Sequence, residues 1–125
     1  MKTRALVIED SEEIAENLVR MLKVLNVESR RALSVREAML LLADELPDII
    51  FLDIKMPGFD GFEVMTYLRR EPKLQNVPVC IVSSENQKET VQKAKKMGAI
   101  DYILKPADMD QLERAVKLAL ALGMK

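Results

Sequence analysis

Glu9 and Asp10, Asp53, Ser83 and Ser84, and Lys105 each stand directly after a short apolar run. If those runs are strands of one parallel sheet, their carboxyl ends share an edge, and residues dozens of positions apart meet in the crevice where open α/β sheets bind ligands. Carboxylates held that close repel one another, so a pKa must rise or a cation must enter. An oxygen-only donor set favours a hard ion, and Mg²⁺ usually combines carboxylates with water and phosphate oxygens. Lys105 adds a positive charge that can pair with Asp53 at rest and with a phosphoryl group later, while Ser83 offers a hydroxyl donor. A carboxylate, a hard cation, an ammonium and a hydroxyl make a phosphoryl-transfer site with Asp53 as nucleophile.

The parts also have ordinary readings. Asp10 with Glu13 reads as a helix cap, and Lys105-Pro106 reads as a turn. Capping explains neither Asp53 closing a buried strand nor Lys105 on the same edge.

The elements that must position these residues are visible as alternating periods. The strand candidates are Ala5–Ile8, a weaker one at Val27–Ala32, Asp48–Leu52, Val79–Val82 and Asp101–Leu104. Ile49-Ile50-Phe51-Leu52 is apolar at every position, as a central strand covered on both faces should be. Between the runs, Ile14, Leu18, Met21, Leu22 and Leu25 recur at helical spacing. Ser34 with Glu37 opens a second helix as a capping box, Asp60 with Glu63 caps a third that Pro72 stops, and Gln87–Met97 forms a fourth with Gly98 placed to end it in a left-handed conformation. Asp108 with Gln111 begins the last, striped by Leu112, Ala115, Val116, Ala119 and Leu120. The pattern predicts βα units around a parallel sheet.

Composition bounds the rest. The 125 residues suit one domain with one core, at 49% hydrophobic and 31% charged. A formal net charge of -1 predicts no attraction to nucleic acid or membrane surfaces. No apolar run approaches a membrane span, and the run after Lys2 and Arg4 stops at Glu9, too short for a signal peptide. The single cysteine, Cys80, has no disulfide partner within the chain and reads as a small core residue in a reducing, cytoplasmic compartment. The absence of histidine excludes a histidine-based metal site, triad or general base.

At these residues the sequence resembles the receiver domain of two-component response regulators, over its whole length. The segments that carry the resemblance are LVIEDS (Leu6–Ser11), IIFLDIKMPGFDG (Ile49–Gly61), VCIVSS (Val79–Ser84) and DYILKP (Asp101–Pro106). The resemblance implies a flavodoxin-like (βα)5 fold with a doubly wound parallel five-stranded sheet of order 2-1-3-4-5, and a single receiver unit over residues 1–125. It implies Asp53 as phosphoacceptor, charged by a sensor histidine kinase, a phosphotransfer protein or a small phosphodonor. Asp10, Asp53 and the backbone carbonyl of Lys55 would bind Mg²⁺, with Mn²⁺ an admissible substitute, and Glu9 would act mainly through water. Lys105, Ser83 and the Ser84 amide would contact the phosphoryl oxygens, and Pro106 would follow a cis peptide bond. Tyr102 would be the switch residue, turning inward as Ser83 moves toward the phosphoryl group. A phosphoryl group adds charge and strong acceptors, so it can draw Ser83 in and vacate space for the ring. Spacing alone equally fits a half-buried aromatic on an edge strand.

Two positions invite a finer reading. Lys55 and Glu85 could face each other across the pocket mouth as an ion pair that screens the phosphoryl group from water. The plainer alternative, two solvated side chains, is preferred, since exposed pairs add little stability. Lys88, Lys93, Lys95 and Lys96 on the fourth helix read as a solvated surface or as part of the family's output face, formed by helix 4, strand 5 and helix 5. A phosphorylation-dependent homodimer through that face is a family-level expectation.

Rival functions fare worse. A Mg²⁺-dependent phosphohydrolase with an aspartyl-phosphate would typically carry a second Asp two residues after the nucleophile, where Lys55 stands. A flavin module would need a phosphate-cradling loop after the first strand, where Glu9-Asp10-Ser11-Glu12-Glu13 would repel phosphate. A docking module without phosphorylation has little support, because every matched position keeps suitable chemistry. The expectation is thus a phosphoacceptor that turns over no external substrate. The chain closes at Gly123-Met124-Lys125 without an effector segment, compatible with a stand-alone regulator and with a receiver cut from a larger one.

Overall fold

The computed structural model describes residues 2–123. Met1, Met124 and Lys125, at the limits of the unit expected above, lie outside the described residues. The elements alternate as β1 (Thr3–Ile8), α1 (Glu12–Val24), β2 (Val27–Ala32), α2 (Val35–Asp44), β3 (Ile49–Leu52), a short hairpin of β4 (Lys55–Met56) and β5 (Phe59–Asp60), α3 (Gly61–Arg70), β6 (Val79–Ser83), α4 (Lys88–Lys96), β7 (Asp101–Leu104) and α5 (Met109–Gly123). The five long strands form one parallel sheet in the order β2-β1-β3-β6-β7. With the hairpin strands set aside, this is the expected order 2-1-3-4-5.

Successive strand residues point to opposite faces, and the apolar runs exploit this twice. Leu6, Ile8, Ile50, Leu52, Val79 and Ile81 pack with Ala38 and Leu42 of α2, Val64, Met65 and Leu68 of α3 and Ala94 of α4. Ala5, Val7, Ile49, Phe51, Cys80 and Val82 pack with Ala15, Leu18 and Leu22 of α1 and Leu112, Ala115 and Ala119 of α5. Both faces of β1, β3 and β6 are therefore dry, which is why those runs lack polar alternation. Cys80 is fully buried, and burial pushes its thiol up and out of reach of ionisation at ordinary pH.

Local chemistry sets the helix ends. Asp108 and Gln111 form a reciprocal capping box at α5, with Gln111 N–H donating to Asp108 Oδ1 at 2.8 Å and Asp108 N–H to Gln111 Oε1 at 3.1 Å. Ser34 caps α2 by accepting Glu37 N–H, and Asp60 caps α3 by accepting Phe62 N–H. Gly98 ends the α4 segment at φ 98. At α1 the sequence expectation needs correction: Ser11, not Asp10, caps the helix, its Oγ accepting Ile14 N–H at 3.3 Å. That leaves the Asp10 carboxylate available to the crevice. Asp48 lies outside β3, where its carboxylate accepts Arg4 N–H at 2.8 Å and ties the strand's entry to β1.

The β4–β5 hairpin, which periodicity did not show, turns at Pro57-Gly58 with Gly58 at φ 73. It brings Gly61 against the segment that follows β3: Gly61 N–H donates to Ile54 O at 3.1 Å, and a Cβ at Gly61 would lie 2.3 Å from Ile54 Cα. Backbone cannot step aside as a side chain can. Gly61→Ala is expected to lower stability by about 1–3 kcal/mol, read as a lower denaturant midpoint at unchanged m-value.

Candidate functional site

Register brings the polar strand ends together. Ile8 of β1 pairs with Leu52 of β3, so Glu9 and Asp53 emerge side by side, and Asp53 N–H donates to Ile8 O at 3.0 Å. Ser83 of β6 pairs with Leu104 of β7, and Lys105 N–H donates to Ser83 O at 3.0 Å. The carboxylates of Glu9, Asp10 and Asp53 come within 4.8 Å of one another. Glu9 is 2% and Asp53 4% exposed, whereas Asp10 faces water and leaves the pocket open on its side.

Lys105 reaches into this cluster from the opposite strand. Its Nζ donates to Asp53 Oδ2 at 3.0 Å and lies 2.6 Å from Glu9 Oε1. The Lys105–Pro106 peptide is cis. Lys55 N–H donates to Asp53 Oδ1 at 3.0 Å, and Ser11 N–H donates to Glu9 Oε2 at 3.1 Å. Burial raises the Glu9 carboxyl above the usual carboxylate range; Lys105 and the Ser11 amide work against that, and the charge of Asp53 adds to it. Burial works to lower the Lys105 ammonium, but its contacts with Glu9 and Asp53 prevail and raise it. One ammonium against three carboxylates leaves the cluster two charges negative.

That surplus is the test of fit for a cation. Glu9 Oε1 is buried and has no well-directed hydrogen bond among the described residues, despite the nearby ammonium. An all-carboxylate, under-neutralised donor set with one open side suits a hard divalent ion that keeps water ligands. The residues present therefore fit Mg²⁺.

Around the mouth of the pocket the sequence reading is extended and corrected. Lys55 Nζ and Glu85 Oε2 are 2.7 Å apart, so the two are paired rather than separately solvated. The pairing raises the Lys55 ammonium and lowers the Glu85 carboxyl. Loop geometry brings this about: the N-terminus of α4 has no side-chain cap of its own, and Glu85 Oε1 accepts Gln87 N–H at 3.1 Å, which fixes its carboxylate over the hairpin side. Ser83 Oγ is fully buried and accepts Glu85 N–H at 3.1 Å. Tyr102 is half-buried against the α2–α3–α4 side of the core, and its hydroxyl donates to Glu85 O at 2.7 Å. Ser84 is exposed beside the pocket.

Two contacts and a groove had no reading in the sequence. Arg69 of α3 donates to the carbonyls of Gln75 and Val77, stapling the loop before β6. Lys93 of α4 sits 4.4 Å from the centroid of the Phe62 ring, so one of the four lysines on that helix is engaged with α3. A groove of about 490 Å³ opens beside Lys105, lined by Glu13, Ile14, Asn17, Arg20, Pro106 and Ala107 among others.

A doubly wound parallel sheet with an acidic, lysine-bridged pocket at its carboxyl edge defines a class of phosphoryl-handling switch, and the comparisons agree. The family model described as response regulator receiver domain matches residues 5–117. Regulatory protein AtoC of Escherichia coli is 32% identical over 95% of this chain, which spans only 25% of that protein. Protein PilH of Pseudomonas aeruginosa is 30% identical over 94% of this chain and 98% of its own length. The structure of the Francisella response regulator 1452 receiver domain superposes with a TM-score of 0.86 at 28% identity, covering 98% of this chain and 99% of that one. The chain belongs to the response regulator receiver domain family. Phosphoryl transfer and Mg²⁺ binding at an acidic pocket are typical of that family, whose members interact with histidine kinases or phosphotransfer proteins and with output domains. Among the described residues, no helix is long and apolar enough to cross a membrane.

Proposed function

We propose that Asp53 accepts a phosphoryl group from a histidine kinase, a phosphotransfer protein or a small phosphodonor, and that its phosphorylation switches a partner-binding face. The observation that carries this reading is the buried Asp53 carboxylate, held by Lys105 Nζ at 3.0 Å and grouped with Glu9 and Asp10. In the transfer, an Asp53 carboxylate oxygen forms the new bond to phosphorus as the donor's bond to phosphorus breaks; a phosphohistidine donor leaves with that electron pair and takes a proton from solvent, and an acyl phosphate donor leaves as its carboxylate. Glu9, Asp10, Asp53 and the Lys55 carbonyl would hold Mg²⁺, which when bound offsets the negative charge of the phosphoryl oxygens. Lys105 pairs with those oxygens, and Ser83 Oγ and the Ser84 amide donate to them.

The domain is then a phosphoacceptor that works in the cytoplasm and turns over no external substrate. Its Lys55–Glu85 pair stands over the pocket mouth and screens the acyl phosphate from water. The output face of this reading is α4, β7 and α5, where Leu104 is 45% and Leu118 42% exposed; homodimerisation on phosphorylation would use the same face.

Mg²⁺ titration followed by thermal melting tests the pocket. The cation is expected to stabilise the wild-type protein, by about 2.7 kcal/mol at roughly a hundredfold excess over its dissociation constant. Fluoroberyllate, added with Mg²⁺, should raise the midpoint further in the wild type and not in Asp53→Asn. A midpoint indifferent to both would contradict the reading.

A further inference from the structure

Glu85 connects four elements around the pocket through its backbone and both carboxylate oxygens. Its N–H donates to Ser83 Oγ at 3.1 Å, its carbonyl accepts the Tyr102 hydroxyl at 2.7 Å, its Oε1 accepts Gln87 N–H at 3.1 Å, and its Oε2 lies 2.7 Å from Lys55 Nζ. One residue of the loop between β6 and α4 thus joins the β3–β4 segment, the end of β6, the start of α4 and the β7 aromatic. The Glu85 side chain is 15% exposed and that of Lys55 61% exposed, so the carboxylate is set inside the loop while the ammonium reaches over to it.

We infer that the Lys55–Glu85 ion pair is a clasp that positions the loop so that the Glu85 carbonyl holds Tyr102 inward before any phosphoryl group arrives. This rests on the reading of Tyr102 as the switch. The physical reason is placement. A backbone carbonyl can serve as acceptor for the phenol only where the loop carrying it stands at the right height over β7. Of the contacts that fix the loop, those to Ser83 at the buried end of β6 and to Gln87 at the start of α4 lie within two residues of Glu85 and set only its local turn. The Lys55 contact is different, because it anchors the loop to a separate strand end across the pocket. Lys55 and Glu85 are accordingly positioning residues for the switch: removing either charge releases the loop from the Lys55 side and lets the phenol exchange its carbonyl for water. The clasp biases the switch toward its inward arrangement, and it places that bias next to Asp53, whose carboxylate already accepts the N–H of Lys55, two residues on.

The chain has two tyrosines and no tryptophan, so a Tyr67→Phe background makes Tyr102 the sole reporter; Tyr67 is 45% exposed on α3, away from the pocket. Fluorine NMR of 3-fluorotyrosine at Tyr102 would be recorded on the unphosphorylated, Mg²⁺-free protein. The parent should show a predominantly buried ring resonance. Lys55→Met and Glu85→Gln should each shift the inward-to-outward ratio by about two- to fivefold toward the exposed resonance, the scale of one partly exposed ion pair. Lys55→Arg, which keeps the positive charge and leaves the Gln87 contact of Glu85 intact, should keep the parental ratio. Added salt should loosen the parent and leave Lys55→Met unchanged, because only the parent has a pair to screen. A ring environment identical in parent and Lys55→Met, at all salt concentrations, would overturn the clasp. No phosphodonor enters the experiment, so its failure is distinguishable from a failure of Asp53 to accept phosphate.

Discussion

Lys105→Met is expected to destabilise the folded protein by about 2–4 kcal/mol and to cut phosphoryl uptake sharply. Lys105 Nζ is the counterion for two carboxylates whose side chains are 3% and 5% exposed. Removing one partner of a buried ion pair commonly costs about 3–5 kcal/mol; the lower range applies here because the pocket opens to water beside Asp10. Methionine keeps the stem's apolar contacts, so the loss reports charge rather than volume. The pH dependence carries a sign. Burial already raises the Glu9 carboxyl, so folding favours its protonated form. That contribution is full below the ordinary Glu value of 4.5 and fades as pH rises through the raised folded value. Without Lys105 the Glu9 carboxyl rises further, so the deficit should shrink as pH falls from neutral toward 4.5. Mg²⁺ should also recover part of it, by supplying the missing positive charge. Denaturant titrations at neutral and mildly acidic pH, with and without Mg²⁺, read all of this; a variant as stable as the parent at neutral pH without Mg²⁺ would contradict it.

Asp53→Asn separates chemistry from fold. The amide can still accept Lys55 N–H through its oxygen, and Lys105 keeps Glu9. The hydrogen bond from Lys105 to Oδ2 is lost, because the amide NH2 then faces the ammonium, while one negative charge leaves a crowded cluster. These oppose each other, so stability should stay within about 1 kcal/mol of the parent. Phosphoryl uptake should fall below detection, because an amide oxygen is no nucleophile toward phosphorus at neutral pH. Stabilisation by Mg²⁺ should weaken as well, since the donor set loses a charge. Uptake by a folded Asp53→Asn protein would move the acceptor elsewhere.

Much of this architecture could be read from the chain because the same residues report on both levels. A run such as Ile49–Leu52 can be apolar throughout only if helices cover both faces, and a charged residue directly after it must then lie at the sheet's edge. The meeting of Glu9, Asp10, Asp53 and Lys105 follows from that, whereas the strand order is what the family resemblance implies. What escaped depends on loop conformation, which has no period. The Pro57-Gly58 turn was a visible hairpin signal, but its strands are only two residues each, too short to alternate. Asn26, at φ 63 after α1, is the left-handed residue that ends that helix. Asp10 and Ser11 are both good caps by type, and only the path of the chain into α1 decided for Ser11. The same holds for Lys55 and Glu85: spacing placed them at one mouth, and the fixed Glu85 carboxylate made them a pair.

The most direct test of the account is intact mass of the wild-type chain after incubation with acetyl phosphate, with and without Mg²⁺, beside Asp53→Asn. The account predicts one phosphoryl group on the wild type, dependent on Mg²⁺ and absent from the variant. A folded wild-type protein that gains no mass with Mg²⁺ present, or one that gains it equally in Asp53→Asn, would contradict the assignment of Asp53 as phosphoacceptor.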